Sequence, residues 1–193
     1  MVGFAPHFLI QQVTNRGMSN QLVIAAVGKD RPGLVDALSG WILDSGCNIA
    51  DSRMTVLGGE FAVLLLADGK WNNLAKLEDQ LEQMQATLGM SITIKRTEPR
   101  SPGGAFLPYA VDVVALDHPG IVHNLASFFS QRNINIQDLA TACYCAAHTG
   151  TPMFSVHMTL DVPADTHIAG LREEFLDFCD RLNLDAVIEP VKG

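Results

Sequence analysis

Basic charge is scarce in this 193-residue chain: 13 Lys and Arg stand against 21 Asp and Glu, a net charge of −8 at pH 7. The sequence pI is near 5.1. A protein that grips nucleic-acid phosphates by itself carries a basic stripe, and none is present, so direct nucleic-acid contact is not expected. Long apolar runs are also missing. None reaches the roughly 20 residues that a membrane span requires, and no membrane contact is expected. The four cysteines, Cys47, Cys143, Cys145 and Cys179, form neither a CxxC array nor a disulfide framework, which points to free thiols in a reducing compartment, the cytoplasm. Catalytic signatures are lacking too: there is no Ser/His/Asp pattern, phosphate-cradling Gly-rich loop or HExxH, and the reading is non-enzymatic with no cofactor.

The chain does contain a repeat. Asp30-Arg31-Pro32-Gly33-Leu34-Val35 returns 87 residues later as Asp117-His118-Pro119-Gly120-Ile121-Val122. The register holds through Leu38/Leu125, Trp41/Phe128, Ile42/Phe129, Asn48/Asn135, Ile49/Ile136 and Asp51/Asp138. One structural unit is used twice. With 48% hydrophobic and 18% charged residues, the composition is that of an ordinary globular protein.

Hydrophobic periodicity gives each unit the same order. In the first, Gln21 to Val27 reads as a strand and Pro32 opens a helix whose stripe is Leu34, Val35, Leu38, Trp41 and Ile42. Ile49 to Leu57 and Glu60 to Ala67 form a hairpin around Gly58-Gly59. A single second helix carries Leu74, Leu77, Leu81, Met84 and Leu88, and Met90 to Lys95 closes the unit. The second unit repeats this with strands at 109–115, 136–144 and 153–161, a helix from Pro119 to Arg132, and a second helix bearing Ile168, Leu171, Phe175, Phe178 and Leu182. That helix is displaced by 94 rather than 87, so seven extra residues intervene, and 143–152 is their natural place. The expected fold is α+β: two βαββαβ, ferredoxin-like domains with helices on one face of an antiparallel sheet. The expected boundaries are 1–18 for an N-terminal extension without signal-peptide character, 19–96 for the first domain, 97–108 for a Pro- and Gly-rich linker, and 109–193 for the second domain.

Two readings of the repeated turn stand side by side. In one, exposed N–H groups at the helix N-terminus meet a carboxylate while Asp30 or Asp117 meets an ammonium, so each turn captures an α-amino acid. In the other, Asp, Pro and Gly only stop a strand and start a helix. Arg31 and His118 distinguish the copies, because Arg stays cationic where His is partly charged. Both also fit as solvated turn residues. Cys143, Cys145 and His148 are acceptable zinc or redox groups in isolation, but no fourth ligand is apparent. The i, i+2 spacing of the cysteines favours burial as small apolar side chains, and no metal is expected. His123 and His157 read as structural or exposed.

A βαββαβ unit entering an Asp-x-Pro-Gly-(Leu/Ile)-Val turn, with Asn-Ile beginning fifteen residues past the Gly, resembles an ACT domain. The likeness spans nearly all of 21–190. Gly150-Thr151-Pro152-Met153-Phe154, Asp161-Val162-Pro163-Ala164 and Leu184-Asp185 extend it to the glycine cleavage system transcriptional repressor family. The resemblance implies a regulator that senses glycine or a related amino acid and acts on transcription through a protein partner, a DNA-binding activator, with a homodimer plausible. It implies ligand sites between paired modules, one combining Asp30, Arg31 and Gly33 with Asn135, the other Asp117, His118 and Gly120 with Asn48. The sequence departs from the commonest amino-acid-sensing pattern in having Asp where Asn is frequent, and Gly28 and Ala115 where a His stands two residues earlier. The alternatives are a regulatory fragment or relative of an ACT-bearing enzyme such as formyltetrahydrofolate deformylase, and a purely structural dimerisation module.

Overall fold

A computed structural model of the protein describes residues 20–98 and 104–191; the expected extension at 1–18 and the central part of the expected linker lie outside them. The chain divides between Ser101 and Pro102 into two compact units. The first contains β1 (Asn20–Lys29), α1 (Leu34–Asp44), β2 (Asn48–Leu57), β3 (Glu60–Gly69), α2 (Trp71–Asp79), α3 (Leu81–Leu88) and β4 (Met90–Thr97). The second contains β5 (Phe106–Leu116), α4 (Ile121–Ser130), β6 (Asn135–Cys145), β7 (Pro152–Pro163), α5 (Ile168–Arg181) and β8 (Asp185–Pro190). β5 takes in Phe106, Leu107 and Pro108, three residues that sequence alone assigns to the linker.

Each unit is a four-stranded antiparallel sheet, ordered β2-β3-β1-β4 and β6-β7-β5-β8. Alternation along the strands sends one set of side chains to the helices. Leu22, Ile24 and Ala26 of β1 and Phe61, Val63, Leu65 and Ala67 of β3 are buried against Leu34, Leu38 and Ile42 of α1, Leu74 and Leu77 of α2, and Met84 and Leu88 of α3. In the second unit Val111, Val113, Val156, Met158 and Leu160 meet Leu125 and Phe129 of α4 and Leu171 and Phe175 of α5. Phe129 and Phe175 stack with ring centroids 5.1 Å apart, at the favourable separation for offset aromatic pairs.

Four details differ from the sequence reading. The second helix of the first unit is broken: Gln80, at φ −87° and ψ 0°, separates α2 from α3, whereas α5 runs unbroken. Pro32 does not open α1, which starts at Leu34. Six of the seven extra residues fall in the β6–β7 hairpin, where Tyr144↔Met153 matches Leu57↔Glu60 but eight residues replace Gly58-Gly59; the seventh lies between Val162 and Ile168. Finally, β2 and β6 are sheet-edge strands exposed along almost their whole length. Cys143 and Cys145 are therefore exposed, contrary to the expectation of burial, because they lie on this exposed edge strand. No helix among the described residues is long and apolar enough to cross a membrane.

Candidate functional site

The repeated turns are built alike. Asp30 N–H donates to the Gly59 carbonyl at 3.0 Å, and Asp117 N–H to that of Pro152 at 3.2 Å, so each Asp still belongs to the end of a ladder. The chain then reverses through Pro and Gly. Gly33 has φ 90° and ψ −2°, and Gly120 φ 99° and ψ −7°. These are the dihedrals of the third residue of a type II turn, with proline ahead of it supplying the preset φ. This explains why Pro32 and Pro119 stand before the helices rather than inside them. A Cβ on Gly33 would meet nothing within 4 Å, and one on Gly120 only the Asn124 side chain at 3.8 Å. Backbone conformation, not crowding, calls for glycine here.

Neither α1 nor α4 has a side-chain cap. The first helical bonds are Ala37 N–H to Gly33 and Asn124 N–H to Gly120, both 2.9 Å, so three amides precede each without an intrahelical partner. In the first unit they border an open depression of about 560 Å³ whose rim includes Asp30, Val35, Met54 and Val56. Val35, Met54 and Val56 are half exposed, giving the turn an apolar flank. The arrangement offers donors with a partial positive charge for an anion, and a carboxylate beside them for a cation.

All eight residues singled out by sequence are exposed, but each unit separates its turn from its asparagine. Asp30 adjoins the Lys29↔Glu60 end of the first sheet, while Asn48 pairs with Asp68 at the other. Eight residue steps along β3, from Glu60 to Asp68, separate the two ends, roughly 27 Å. Asp117 and Asn135 are likewise at opposite ends, beside Pro152 and opposite Asp161. Thus Asp30, Arg31 and Gly33 come together, as do Asp117, His118 and Gly120, and neither trio is completed by the asparagine of its own unit.

The two turns differ chemically. Arg31 Nη2 donates to the Leu88 carbonyl at 3.0 Å, committing part of its guanidinium to the end of α3. His118 Nδ1 lies 3.1 Å from the carbonyl of its neighbour Pro119. Cys143 Sγ approaches Asp117 Oδ2 at 3.9 Å, where the first unit has Val56. The positions of the missing histidines also have a structural reading. A Cβ on Gly28 would stand 2.8 Å from Met90 Cγ, and Ala115 is 5% exposed, so neither sheet has room there for an imidazole without repacking.

Among the described residues no group of three or more His, Cys, Asp or Glu is placed to hold a metal. Burial raises the Cys47 thiol, with Asp68 adding to the effect and Lys76 opposing it. Burial, reinforced by Asp180, pushes Cys179 up to about 12. His157 pairs through Nδ1 with Asp112 at 2.7 Å on the exposed sheet face. Sequence reasoning overlooked a polar group at the far end of the second sheet, where Asp161 accepts from both Asn135 and Gln137. The repeat offered a signal for it, since Asp68 and Asp161 each sit opposite the repeated asparagine.

Comparison with known proteins adds four findings. The ACT domain family model matches residues 20–95. The glycine cleavage system transcriptional repressor of Escherichia coli (strain K12) is 33% identical over 172 residues, covering 88% of this chain and 90% of the relative. A crystal structure assigned to the same repressors superposes with a TM-score of 0.70 at 28% identity, covering 92% of this chain and 100% of the other. A protein from Galdieria sulphuraria superposes at 0.72 over 90% of this chain and 99% of its own length; at 23% identity, that likeness bears on the fold alone.

Proposed function

Since the chain belongs to the glycine cleavage system transcriptional repressor family, we propose that it is a non-enzymatic regulator that senses glycine or a related amino acid and controls glycine cleavage genes through a protein partner, a DNA-binding activator. The observation that carries this reading is the pair of uncapped helix N-termini, each entered through an exposed Asp-x-Pro-Gly turn. The amides receive the ligand carboxylate, and Asp30 or Asp117 receives its ammonium. The proposed ligand set is Asp30, Arg31, Gly33 and Asn135, with Asp117, His118, Gly120 and Asn48 as its counterpart.

The net charge of −8 supports an indirect route to DNA. Four free thiols support a cytoplasmic setting. Regulation requires unequal ligand affinity for the partner-bound and partner-free protein, and the coupling is reciprocal. The test is titration calorimetry of the full chain with glycine and a panel of amino acids, alongside capture of the bound partner with and without glycine. Saturable heat together with glycine-dependent capture is expected. No heat and no thermal stabilisation with any amino acid would rule out direct sensing.

A further inference from the structure

The second turn carries a pair of thiols that the first lacks. On the β6–β7 ladder Cys143 faces Phe154 and Cys145 faces Pro152, so both project from one face of β6, the face on which Phe154 packs against the core; Tyr144 between them takes the other. Both thiols are exposed, because β6 is an edge strand. Cys143 Sγ donates to Asp117 Oδ2 at 3.9 Å. The places 87 residues earlier hold Val56 and Gly58, so the first repeat has no thiol at either position.

Position decides what the four cysteines can do. Cys47 and Cys179 are buried with their thiols raised, which keeps them protonated and inert at neutral pH. Cys143 and Cys145 are open to small disulfides in solution. Alternate residues of a strand stand roughly 6.4–6.8 Å apart at Cα, the upper end of the roughly 4.4–6.8 Å that a disulfide spans. Cys145 occupies the last rung of its ladder, opposite Pro152, which has no N–H, and β6 ends its sheet, so little resists the small contraction that a bond requires. A disulfide formed there is exposed and drawn tight, which puts it in the class that is readily reduced again.

We propose that Cys143 and Cys145 are a redox-active dithiol that exchanges with small-molecule disulfides and closes to an intrachain disulfide beside Asp117. One cysteine, as thiolate, attacks a sulfur of the small disulfide, forming a mixed disulfide and expelling one small thiolate, which takes up a proton. The other cysteine, as thiolate, then attacks the protein sulfur of the mixed disulfide and expels the second. The dithiol loses two electrons and two protons, and the small disulfide gains them and leaves as two thiols. Closure removes the S–H that donates to Asp117. Where Asp117 receives the ammonium of an amino acid, a step that rests on the sensing function proposed above, the carboxylate loses a competing donor. Glycine then binds the second turn about threefold tighter in the oxidised protein, while the first turn, with Val56 in that place, does not respond.

The experiment equilibrates the full chain in mixtures of reduced and oxidised glutathione, traps free thiols by alkylation, and reads intact mass and peptide maps before titration calorimetry with glycine. The wild type is expected to lose two hydrogen atoms, to yield a linked Cys143–Cys145 peptide, and to revert in reduced glutathione. Cys145→Ser is expected to stop at a glutathione adduct on Cys143. A wild type that gives only adducts, or links through Cys47, Cys179 or a second chain, overturns the dithiol. Cys143→Ala, which has no S–H beside Asp117, is expected to bind glycine like the oxidised wild type in either buffer. Equal glycine affinity of reduced and oxidised wild type overturns the link to Asp117. A wild type that binds no amino acid in either state overturns the sensing function, and the mass and peptide map decide the dithiol independently.

Discussion

Arg31 reaches across 57 positions of sequence to donate from Nη2 to the carbonyl of Leu88 at 3.0 Å. The residue that distinguishes the first turn from the second thereby fastens that turn to the last residue of α3, satisfying a helix-terminal carbonyl. Its charge and its packing are one device. Arg31→Ala should lower stability by about 1 kcal/mol, since the bond is charge-assisted but only partly buried. His118→Ala, whose Nδ1 contact is with its own neighbour, should fall within about 0.5 kcal/mol of wild type. Urea unfolding of both variants measures the contrast.

Gly33→Ala and Gly120→Ala should each cost about 1–2 kcal/mol, because φ of 90° and 99° places an L side chain in the left-handed region. Open space around the added Cβ means that the cost is conformational and not steric. Gly28→Ala should cost by another route, a 2.8 Å approach to Met90 Cγ, which Met90→Ala would partly relieve. Thermal melts of the single variants and of the Gly28→Ala, Met90→Ala double variant separate the two mechanisms.

The thiols should fall into two classes. Cys143 and Cys145 are exposed and Cys47 and Cys179 are buried, so a disulfide reagent at pH 8 should label two groups quickly and two only as the protein opens. Cys179 is a thiol pushed up to about 12 from 9.0. The folded state then holds its proton more tightly than the unfolded state does. Its contribution is present below about pH 9 and is lost as pH rises through that window. Labelling of four thiols at equal rates in native buffer would contradict the burial described here.

Phe175→Ala should destabilise the second unit by about 3–5 kcal/mol, as it removes a fully buried ring that stacks on both Phe128 and Phe129. Phe175→Leu should cost less, because much of the volume remains. Chemical denaturation with comparison of the slopes distinguishes lost packing from a changed unfolded state.

The architecture was legible in the sequence because repetition and apolar spacing report burial directly, as Leu34, Leu38 and Ile42 do on α1. The two turns were legible for the same reason. Exposure of the edge strands was not. Met54 and Val56 follow the alternation of an ordinary strand, and nothing local says that their strand lies at the exposed edge of the sheet. The break at Gln80 also escaped notice, since Leu77, Leu81 and Met84 keep helical spacing through it. Gln137 was hidden by a bulge in β6: strict alternation does not aim it at Asp161, and only the slipped register brings them together.

The longer β6–β7 hairpin shows how much this sheet tolerates beyond its rim. Six residues were gained between Tyr144 and Met153 while the strand partners on either side kept their places. The exposed Thr149-Gly150 segment is thus a ready position for a genetically encoded reporter or affinity tag. A probe grafted there would let the protein be followed in living cells with its ladder intact.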